Sequence, residues 1–306
     1  MRGMWALFLT VSGLVSMAWA QEGSLSTGVS PTNNSKWGQS YFSFTGTDMQ
    51  AVNDGAPSVN IYNYLSLNYK KNSSERYSLR PAFSYKTAGF SGNGDRQDSE
   101  VYLNDAYVNY SNYDLALLPG EWALSGQFRF YFPTSEGAAE KKQIGELYTE
   151  LISEKLLGQG WAISYTTKTS YFLQSQKAYR YEKVYPDGGK KIEARANHYG
   201  EMDHYFTLKK FLNSTFTPAV DLGLLHEWNY TSEQVRGGSA SRNQLKIAPN
   251  TEIHLNRSAW FILGIENATD LNDTRLTSQW EDRDGRSIKL FHPENTQYYL
   301  MTFIML

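Results

Sequence analysis

Apolar and polar residues alternate along most of the chain, from Trp37 to the last residue. The clearest segment is 121–133, where the even positions from Trp122 to Phe132 are mainly apolar and odd positions such as Gln127 are mainly polar. Because a β-strand directs successive side chains to opposite faces, this period of two predicts a strand with one apolar and one polar surface. Twelve such segments of about ten residues each predict an all-β fold. They begin near Trp37, Ser58, Arg76, Glu100, Glu121, Gln143, Trp161, Ala196, Pro218, Arg242, Ala259 and Thr296.

The sixth segment, 143–156, also fits a second interpretation. Leu147, Tyr148, Leu151 and Ile152 follow helical spacing, because residues three and four apart share one face of a helix. A short helix is therefore an alternative to the sixth strand.

The connections between the predicted strands alternate in length. Those after strands two, four, six, eight and ten are short, such as 71–74 and 157–160, whereas most of the others are long and hydrophilic, such as 175–193 and 269–295. In an antiparallel arrangement of an even number of strands, this alternation puts all long loops at one rim and all short turns at the other. A soluble sandwich with Greek-key crossovers has no reason to follow that rule.

The N-terminus has the features of an export signal. Arg2 supplies a positive charge, the apolar stretch 4–17 follows, and Ala18 and Ala20 place small residues at positions −3 and −1 before Gln21. This order predicts a signal peptide over residues 1–20 that is cleaved after Ala20. The polar segment 21–36 predicts a flexible lead-in, and the strands then occupy residues 37–306.

The composition excludes several classes of protein. The 306 residues include no cysteine, which excludes disulfides, thiol nucleophiles and cysteine zinc ligands. A mean hydropathy of −0.53 with one long apolar run excludes a helical membrane protein. The hydrophobic share of 41% excludes intrinsic disorder, and a formal net charge of −2 provides no field that would attract nucleic acid.

A membrane barrel accounts for these patterns together. A strand that crosses a bilayer needs about 9–11 residues, and the sheet must close on itself because lipid satisfies no backbone hydrogen bonds. The apolar face then contacts lipid and the polar face lines the interior. Aromatic residues near many strand ends, among them Trp37, Trp122, Trp161 and Trp228, fit girdles at the two membrane interfaces. A soluble exported β-sandwich or lipocalin-like barrel is the alternative.

On these features, residues 37–306 resemble a Gram-negative, porin-like outer-membrane β-barrel of about twelve strands. The resemblance rests on the export signal, the alternating strands, the one-sided long loops and the terminal segment 297–306, in which Tyr298, Leu300, Ile304 and Leu306 alternate. It implies a single closed antiparallel barrel in the outer membrane, with short periplasmic turns and long extracellular loops. It also implies contact with outer-membrane lipid and recognition of the last strand by the assembly machinery. Leu306 stands where that family usually ends in Phe or Trp.

The charged residues on the polar faces suggest a lumen. The lumen-lining candidates are Arg80, Lys86, Arg129 and Lys168 on strands three to seven, and Asp221, Glu227, Lys246 and Glu252 on strands nine and ten; Glu201, Asp203, Lys209 and Glu266 accompany the second group. In a closed barrel the two groups lie on roughly facing walls, and opposed charge across a wet lumen sets ion selectivity. The alternative is a filled lumen in which the same charges pair. Barrels of eight strands are filled by side chains and those of sixteen leave a channel, so a count of twelve does not decide whether the lumen is open or filled.

No catalytic or metal-binding arrangement is evident. Asp203 and His204 are adjacent, as are His226 and Glu227, but a strand sends neighbours to opposite faces. The segments 92–95 and 282–285 lack the ligand spacing of a calcium loop and predict polar turns. We therefore expect no cofactor, no metal and no enzymatic activity. The basic pairs at 141–142 and 190–191 are candidates for contacts with the phosphates of lipopolysaccharide.

The function that these observations favour is an outer-membrane channel that allows passive diffusion of small hydrophilic solutes or ions through a narrow charged lumen. A structural or surface-binding barrel with an occluded lumen is the second hypothesis. An outer-membrane enzyme ranks last.

Overall fold

A computed structural model describes residues 36–55, 57–90, 96–184, 190–231, 241–271, 291 and 293–306. The predicted signal peptide at 1–20 and the lead-in up to residue 35 lie outside the described residues. So do the segments 92–95 and 282–285 and the side chains of Lys190 and Lys191.

Twelve strands build a closed antiparallel barrel, and each begins within two residues of its predicted start. They are β1 (Trp37–Asp48), β2 (Asn60–Lys70), β3 (Glu75–Arg80, continued by Ala82–Lys86), β4 (Glu100–Leu103, continued by Tyr107–Leu118), β5 (Trp122–Tyr131), β6 (Gln143–Gly158), β7 (Trp161–Gln174), β8 (His198–Lys210), β9 (Phe216–Asn229), β10 (Ser241–His254), β11 (Ala259–Asp270) and β12 (Thr296–Met305).

The sixth segment is a strand, so the helical alternative is wrong. β6 pairs with β5 on one side and with β7 on the other. The four residues with helical spacing are divided between the two faces: Tyr148 and Ile152 are buried inside the barrel, while Leu151 is 41% exposed on the outside. Pairing on both edges satisfies the backbone of the whole strand, which a short helix in the wall would not do.

The barrel closes between the first and last strands. β1 pairs with β2 and also with β12, in a register that sets Phe42 opposite Tyr64 on one side and Phe303 on the other. The terminal residue Leu306 donates its backbone N–H to the carbonyl of Gln39 at 2.9 Å. Each of the twelve strands therefore has partners on both sides over its central part, whereas the segment Glu100–Leu103 at the long-loop end of β4 pairs only with Ala82–Lys86.

Two strands contain interruptions that alternation alone did not predict. Pro81 divides β3, because proline has no N–H to donate to the ladder. Its carbonyl still accepts a hydrogen bond from the Leu65 N–H at 3.2 Å. In β4 the break falls at 104–106, and the inward-facing positions shift from Tyr102 and Asn104 to Tyr107 and Asn109.

The loops follow the predicted alternation. Turns 71–74, 119–121, 159–160, 211–215 and 255–258 lie at one rim, the short-turn rim, and the longer connections lie at the opposite, long-loop rim. The long-loop rim carries helices α1 (Met49–Asn53) and α2 (Glu136–Glu140), a 3-10 turn (Pro293–Asn295), and the hairpins Gly89–Phe90 with Arg96–Gln97 and Ala178–Val184 with Lys190–Ala196. In the described part of the chain, no helix is long and apolar enough to cross a membrane.

The distribution of side chains is the reverse of that in a soluble protein. Large apolar side chains are exposed on the outer face of the barrel, whereas many polar and charged side chains are buried inside. The exposed set includes Leu65, Leu67, Leu79, Phe128, Phe206, Leu222 and Leu263. This arrangement suits a barrel whose outer surface is solvated by lipid.

One glycine makes room for an interior ring, which gives a first prediction. Gly264 of β11 lies directly opposite Tyr299 of β12, and a Cβ atom at residue 264 would clash with the Tyr299 ring. We expect Gly264→Ala to lower the free energy of unfolding by about 1–3 kcal/mol through overpacking. Urea unfolding in lipid vesicles measures the change, and Gly38→Ala, with open space at its Cβ position, is the matched control. Equal stability of the two variants would contradict this packing.

Candidate functional site: the barrel interior

The interior has an aromatic side and a charged side. The aromatic side is formed mainly by strands β12 and β1 to β6, and its rings are Phe42, Phe44, Tyr62, Tyr64, Tyr107, Tyr131, Tyr148, Tyr299 and Phe303. Neighbouring rings are in contact, as Phe42 stacks on Tyr64 at 4.8 Å and Tyr107 lies 4.7 Å from Tyr131 between centroids. These inward-facing rings fill one side of the lumen.

A row of five charged side chains crosses the opposite side at mid-height. We call Arg129, Glu150, Lys168, Asp203 and Lys246 the charged row; they lie on β5, β6, β7, β8 and β10. Their charges alternate in sign from strand to strand, and opposite charges that face each other across a sheet stabilise the pairing. Glu150 lies directly opposite Lys168, and Lys168 lies directly opposite Asp203.

Glu150 has several polar partners near one end of the charged row. Its Oε2 lies 3.9 Å from the Arg129 Nη2, and both side chains are fully buried. The same oxygen accepts hydrogen bonds from Gln127 Nε2 at 2.6 Å and from the Tyr148 hydroxyl at 2.9 Å. The Arg129 guanidinium also lies over the ring of Tyr148, 4.7 Å from its centroid. Arg129 therefore joins the charged row to the aromatic side.

Asp203 contacts two lysines near the other end of the charged row. Its Oδ2 lies 3.8 Å from Lys168 Nζ and 3.3 Å from Lys246 Nζ. Lys246 reaches Asp203 past β9, where the buried Leu225 lies directly opposite Asp203. One carboxylate is thus shared by two buried ammonium groups.

Further charges lie on both sides of the row. Towards the short-turn rim, Lys209 Nζ contacts Glu154 Oε2 at 3.1 Å, and Asn250 donates to Asp221 at 3.0 Å. Towards the long-loop rim, Glu201 lies directly opposite Glu227, which contacts Arg242 at 3.4 Å. The interior therefore presents ionisable groups over much of its height.

The eight predicted lumen residues are not arranged as two facing walls of opposite sign. Arg129, Lys168 and Lys246 are in the charged row, where they alternate with acids. Arg80 lies on the aromatic side, 4.8 Å from the Tyr64 centroid, with Nε donating to Ser66. The placements of the other four are these: Asp221 beside Asn250, Glu227 beside Arg242, Glu252 2.6 Å from His254, and Lys86 half-buried at the long-loop end of β3.

The sequence analysis did not identify Glu150 and Glu154 as interior residues, and it did not identify the contact between Glu252 and His254. The first two are on β6, where helical spacing obscured the alternation of Glu146, Tyr148, Glu150, Ile152 and Glu154. His254 and Glu252 are two apart in a strand, a spacing that puts both side chains on one face. Glu150 was therefore detectable from the period of two once β6 was taken as a strand.

The two adjacent acid–histidine pairs are separated as strand geometry predicts. Asp203 faces the interior and His204 faces outward, and likewise Glu227 faces inward and His226 outward. Neither pair forms a shared site.

The loop lysines at 141–142 differ in their surroundings. Lys142 is exposed, whereas Lys141 is half-buried beneath the loops, with its backbone carbonyl accepting a hydrogen bond from Asn197 at 3.0 Å. Burial, reinforced by the nearby Arg195, lowers the pKa of the Lys141 ammonium. Of the two lysines, Lys142 is therefore the one with an exposed side chain.

Structural comparison supports the same class of fold. No protein-family model and no curated protein matches the sequence. Among solved structures, an outer-membrane channel from Pseudomonas putida F1 is similar, with a TM-score of 0.54 at 9% identity over 91% of this chain and 100% of that one. The β-domain of the Bordetella autotransporter BrkA has a TM-score of 0.46 at 10% identity, over 89% of this chain and 100% of that one. The translocator domain of NalP from Neisseria meningitidis has a TM-score of 0.47 at 8% identity, over 98% and 96%.

The closed twelve-strand barrel and the first of these likenesses define the class of protein: the chain has the fold of an outer-membrane β-barrel.

Proposed function

We propose that this chain is an outer-membrane channel that passes small ions and small hydrophilic solutes through a narrow charged lumen. The observation that carries the proposal is the charged row, five ionisable side chains of alternating sign at mid-height inside a membrane barrel. Outer-membrane lipid, lipopolysaccharide and the assembly machinery are the partners that such a protein requires.

Stability alone does not account for the charged row. Replacing buried ion pairs by apolar residues of similar volume is often neutral or stabilising, so a barrel selected only for stability would favour the packing seen on the aromatic side. Fixed charges along a path let ions exchange part of their hydration shell for protein groups. The row therefore fits a conducting path better than a purely structural filling.

Hydration of this layer is also expected. Glu150 Oε1 and Asp203 Oδ1 are buried, and neither accepts a hydrogen bond from the described protein groups. Buried polar atoms in that situation are commonly satisfied by water. Water in the charged row would connect the polar surroundings of Glu201 on one side with those of Lys209 on the other.

The second candidate function is a structural or surface-binding barrel with an occluded lumen. The complete burial of Arg129 and Glu150 favours it, because side chains in tight contact block the lumen at that height. In this case the ion pairs hold the wall together, and the long loops carry the function. For both candidates we propose that the barrel is not an enzyme.

Single-channel recording of the refolded mature chain in a planar bilayer distinguishes the two. We expect small, steady conductance steps with a preference for one sign of ion. Glu227→Gln removes an interior carboxylate and leaves the positive charge of Arg242 in place, so the cation-to-anion permeability ratio should fall. Glu121→Gln changes a carboxylate in an exposed short turn and should leave the ratio unchanged. Stable insertion without conductance would favour the occluded barrel.

A further inference from the structure

Four polar side chains form a hydrogen-bonded chain on the outer face of the barrel. They are Tyr165, His204, His226 and Asn243, on the adjacent strands β7, β8, β9 and β10. The Tyr165 hydroxyl lies 3.1 Å from His204 Nδ1, and His226 Nδ1 lies 2.6 Å from Asn243 Oδ1. Between them, the Nε2 atoms of the two histidines are 3.2 Å apart. Ionisable groups on a surface solvated by lipid are costly, so their presence indicates a function.

The outer hydrogen bonds leave both Nε2 atoms available to a shared cation. Asn243 Oδ1 is an acceptor only, so His226 Nδ1 carries the proton and its neutral Nε2 has a lone pair. His204 Nδ1 accepts from the Tyr165 hydroxyl, so in the neutral ring Nε2 carries the one proton that lies between the two rings. When a metal ion binds, the His204 Nε2 proton leaves to solvent while Nδ1 takes up a proton from solvent and donates it in a hydrogen bond to the Tyr165 hydroxyl oxygen. Both rings then stay neutral, and both Nε2 atoms have a lone pair for the metal.

The geometry points to a two-histidine site for one divalent transition-metal ion, with His204 Nε2 and His226 Nε2 as its protein ligands. For zinc–nitrogen distances of about 2.0–2.1 Å, nitrogens 3.2 Å apart subtend an angle of about 103° at the metal, close to tetrahedral. Imidazole suits zinc, copper and nickel, whereas magnesium and calcium take oxygen ligands. Binding changes the tautomer of His204 with no net gain or loss of protons, and no redox step is involved.

Tyr165 and Asn243 act as positioning residues. In metal sites the second ring nitrogen of a histidine is usually hydrogen-bonded, which fixes the tautomer and the ring orientation. Both histidines have such a partner here, on the strand next to their own.

The site lies on the outer face between mid-height, where His204 follows Asp203 on β8, and the aromatic residues on the long-loop side. His226 is two residues from Trp228 on the same face of β9, and the two rings stack with centroids 6.2 Å apart. Tyr199 and Tyr230 pair nearby at 5.1 Å, so an aromatic band of the kind found at interfaces lies directly above the histidines. Among the described residues, no group of three or more acidic or histidine side chains could hold a metal. Water would fill the remaining positions.

Equilibrium dialysis of the refolded full mature chain in detergent micelles against zinc tests the proposal. We expect saturable binding of one zinc per chain, not displaced by magnesium, and its loss in both His204→Ala and His226→Ala. His198→Ala is the matched control, since His198 packs against Phe172 at 4.5 Å and should retain binding. Asn243→Ala keeps both ligands and should weaken the affinity by about 10–100-fold.

A second readout separates loss of the ligand from loss of the fold. Zinc should raise the unfolding temperature of the wild-type barrel and of His198→Ala, and this shift should be absent in His226→Gln, which keeps a polar side chain without the imidazole. Zinc binding by the two alanine variants equal to that of wild type would overturn the proposal. The absence of saturable binding by the wild-type barrel would overturn it too.

Discussion

Replacing Phe128 with Arg lowers the free energy of unfolding of the barrel by about 2–4 kcal/mol, the cost of a cation on the lipid face near the bilayer midplane. Phe128 is on the outer face of β5, well inside both ends of the strand, and is 45% exposed. Its neighbour Arg129 is buried on the opposite face, where Glu150 pairs with its charge. A charge at residue 128 would instead face lipid. Urea unfolding in phospholipid vesicles, followed by tryptophan fluorescence, measures the difference.

Two controls isolate the effect of depth. Phe132→Arg places the same charge just beyond the long-loop end of β5, where a cation costs only about 0–1 kcal/mol. Phe128→Leu keeps an apolar side chain and should lie close to wild type. A Phe128→Arg barrel as stable as wild type would show that the outer face of β5 does not contact lipid.

Removing one partner of the fully buried Arg129–Glu150 pair should destabilise the barrel by up to about 3–5 kcal/mol, because the remaining buried charge loses its ion-pair partner. We expect this for Arg129→Met and for Glu150→Gln. The double variant removes both charges and should cost clearly less than the sum of the two single changes. The coupling energy from a double-mutant cycle is therefore expected to be well above the few tenths of a kcal/mol found for independent sites.

The matched cycle on Lys71 and Glu75 controls for exposure. These residues pair at 2.9 Å in a short turn, with Lys71 largely exposed, so each single change should alter stability little. Additive effects of the Arg129 and Glu150 changes would mean that the two side chains do not interact inside the barrel.

The strands were predictable because each lipid-facing position requires an apolar residue or glycine, whatever residues the neighbouring strands carry. Each outward position of β5 is apolar in its own right or is glycine, as at Phe128 and Gly126, so a single sequence shows the alternation without knowledge of any neighbouring strand. The alternation did not predict the interruption at Pro81, because Leu79 and Phe83 on either side of it both face outward and keep the period of two.

The interior pairing was less predictable because it depends on register between strands. Alternation shows that Lys168 and Asp203 both face inward, but their contact requires the pairing of β7 with β8 that places them directly opposite each other. The sequence analysis assigned the charges to two facing walls from the order of the strands along the chain. The register of the strands instead places acidic and basic side chains next to each other. The same holds outside the barrel, where the sequence places His226 on the apolar face but does not reveal that His204 lies beside it.

The passage of ions through the barrel interior is tested most directly by chemical modification of single cysteines during channel recording. The chain has no cysteine, so each introduced thiol is unique. Ser164→Cys places a thiol inside β7 on the short-turn side of the charged row, between Glu154 and Thr207, and Ile163→Cys places one on the lipid face of the same strand. A small, charged, water-soluble thiol reagent should reduce the current through Ser164→Cys in discrete steps and leave Ile163→Cys unchanged. Current that persists at full height after complete modification of Ser164→Cys would contradict conduction through the interior.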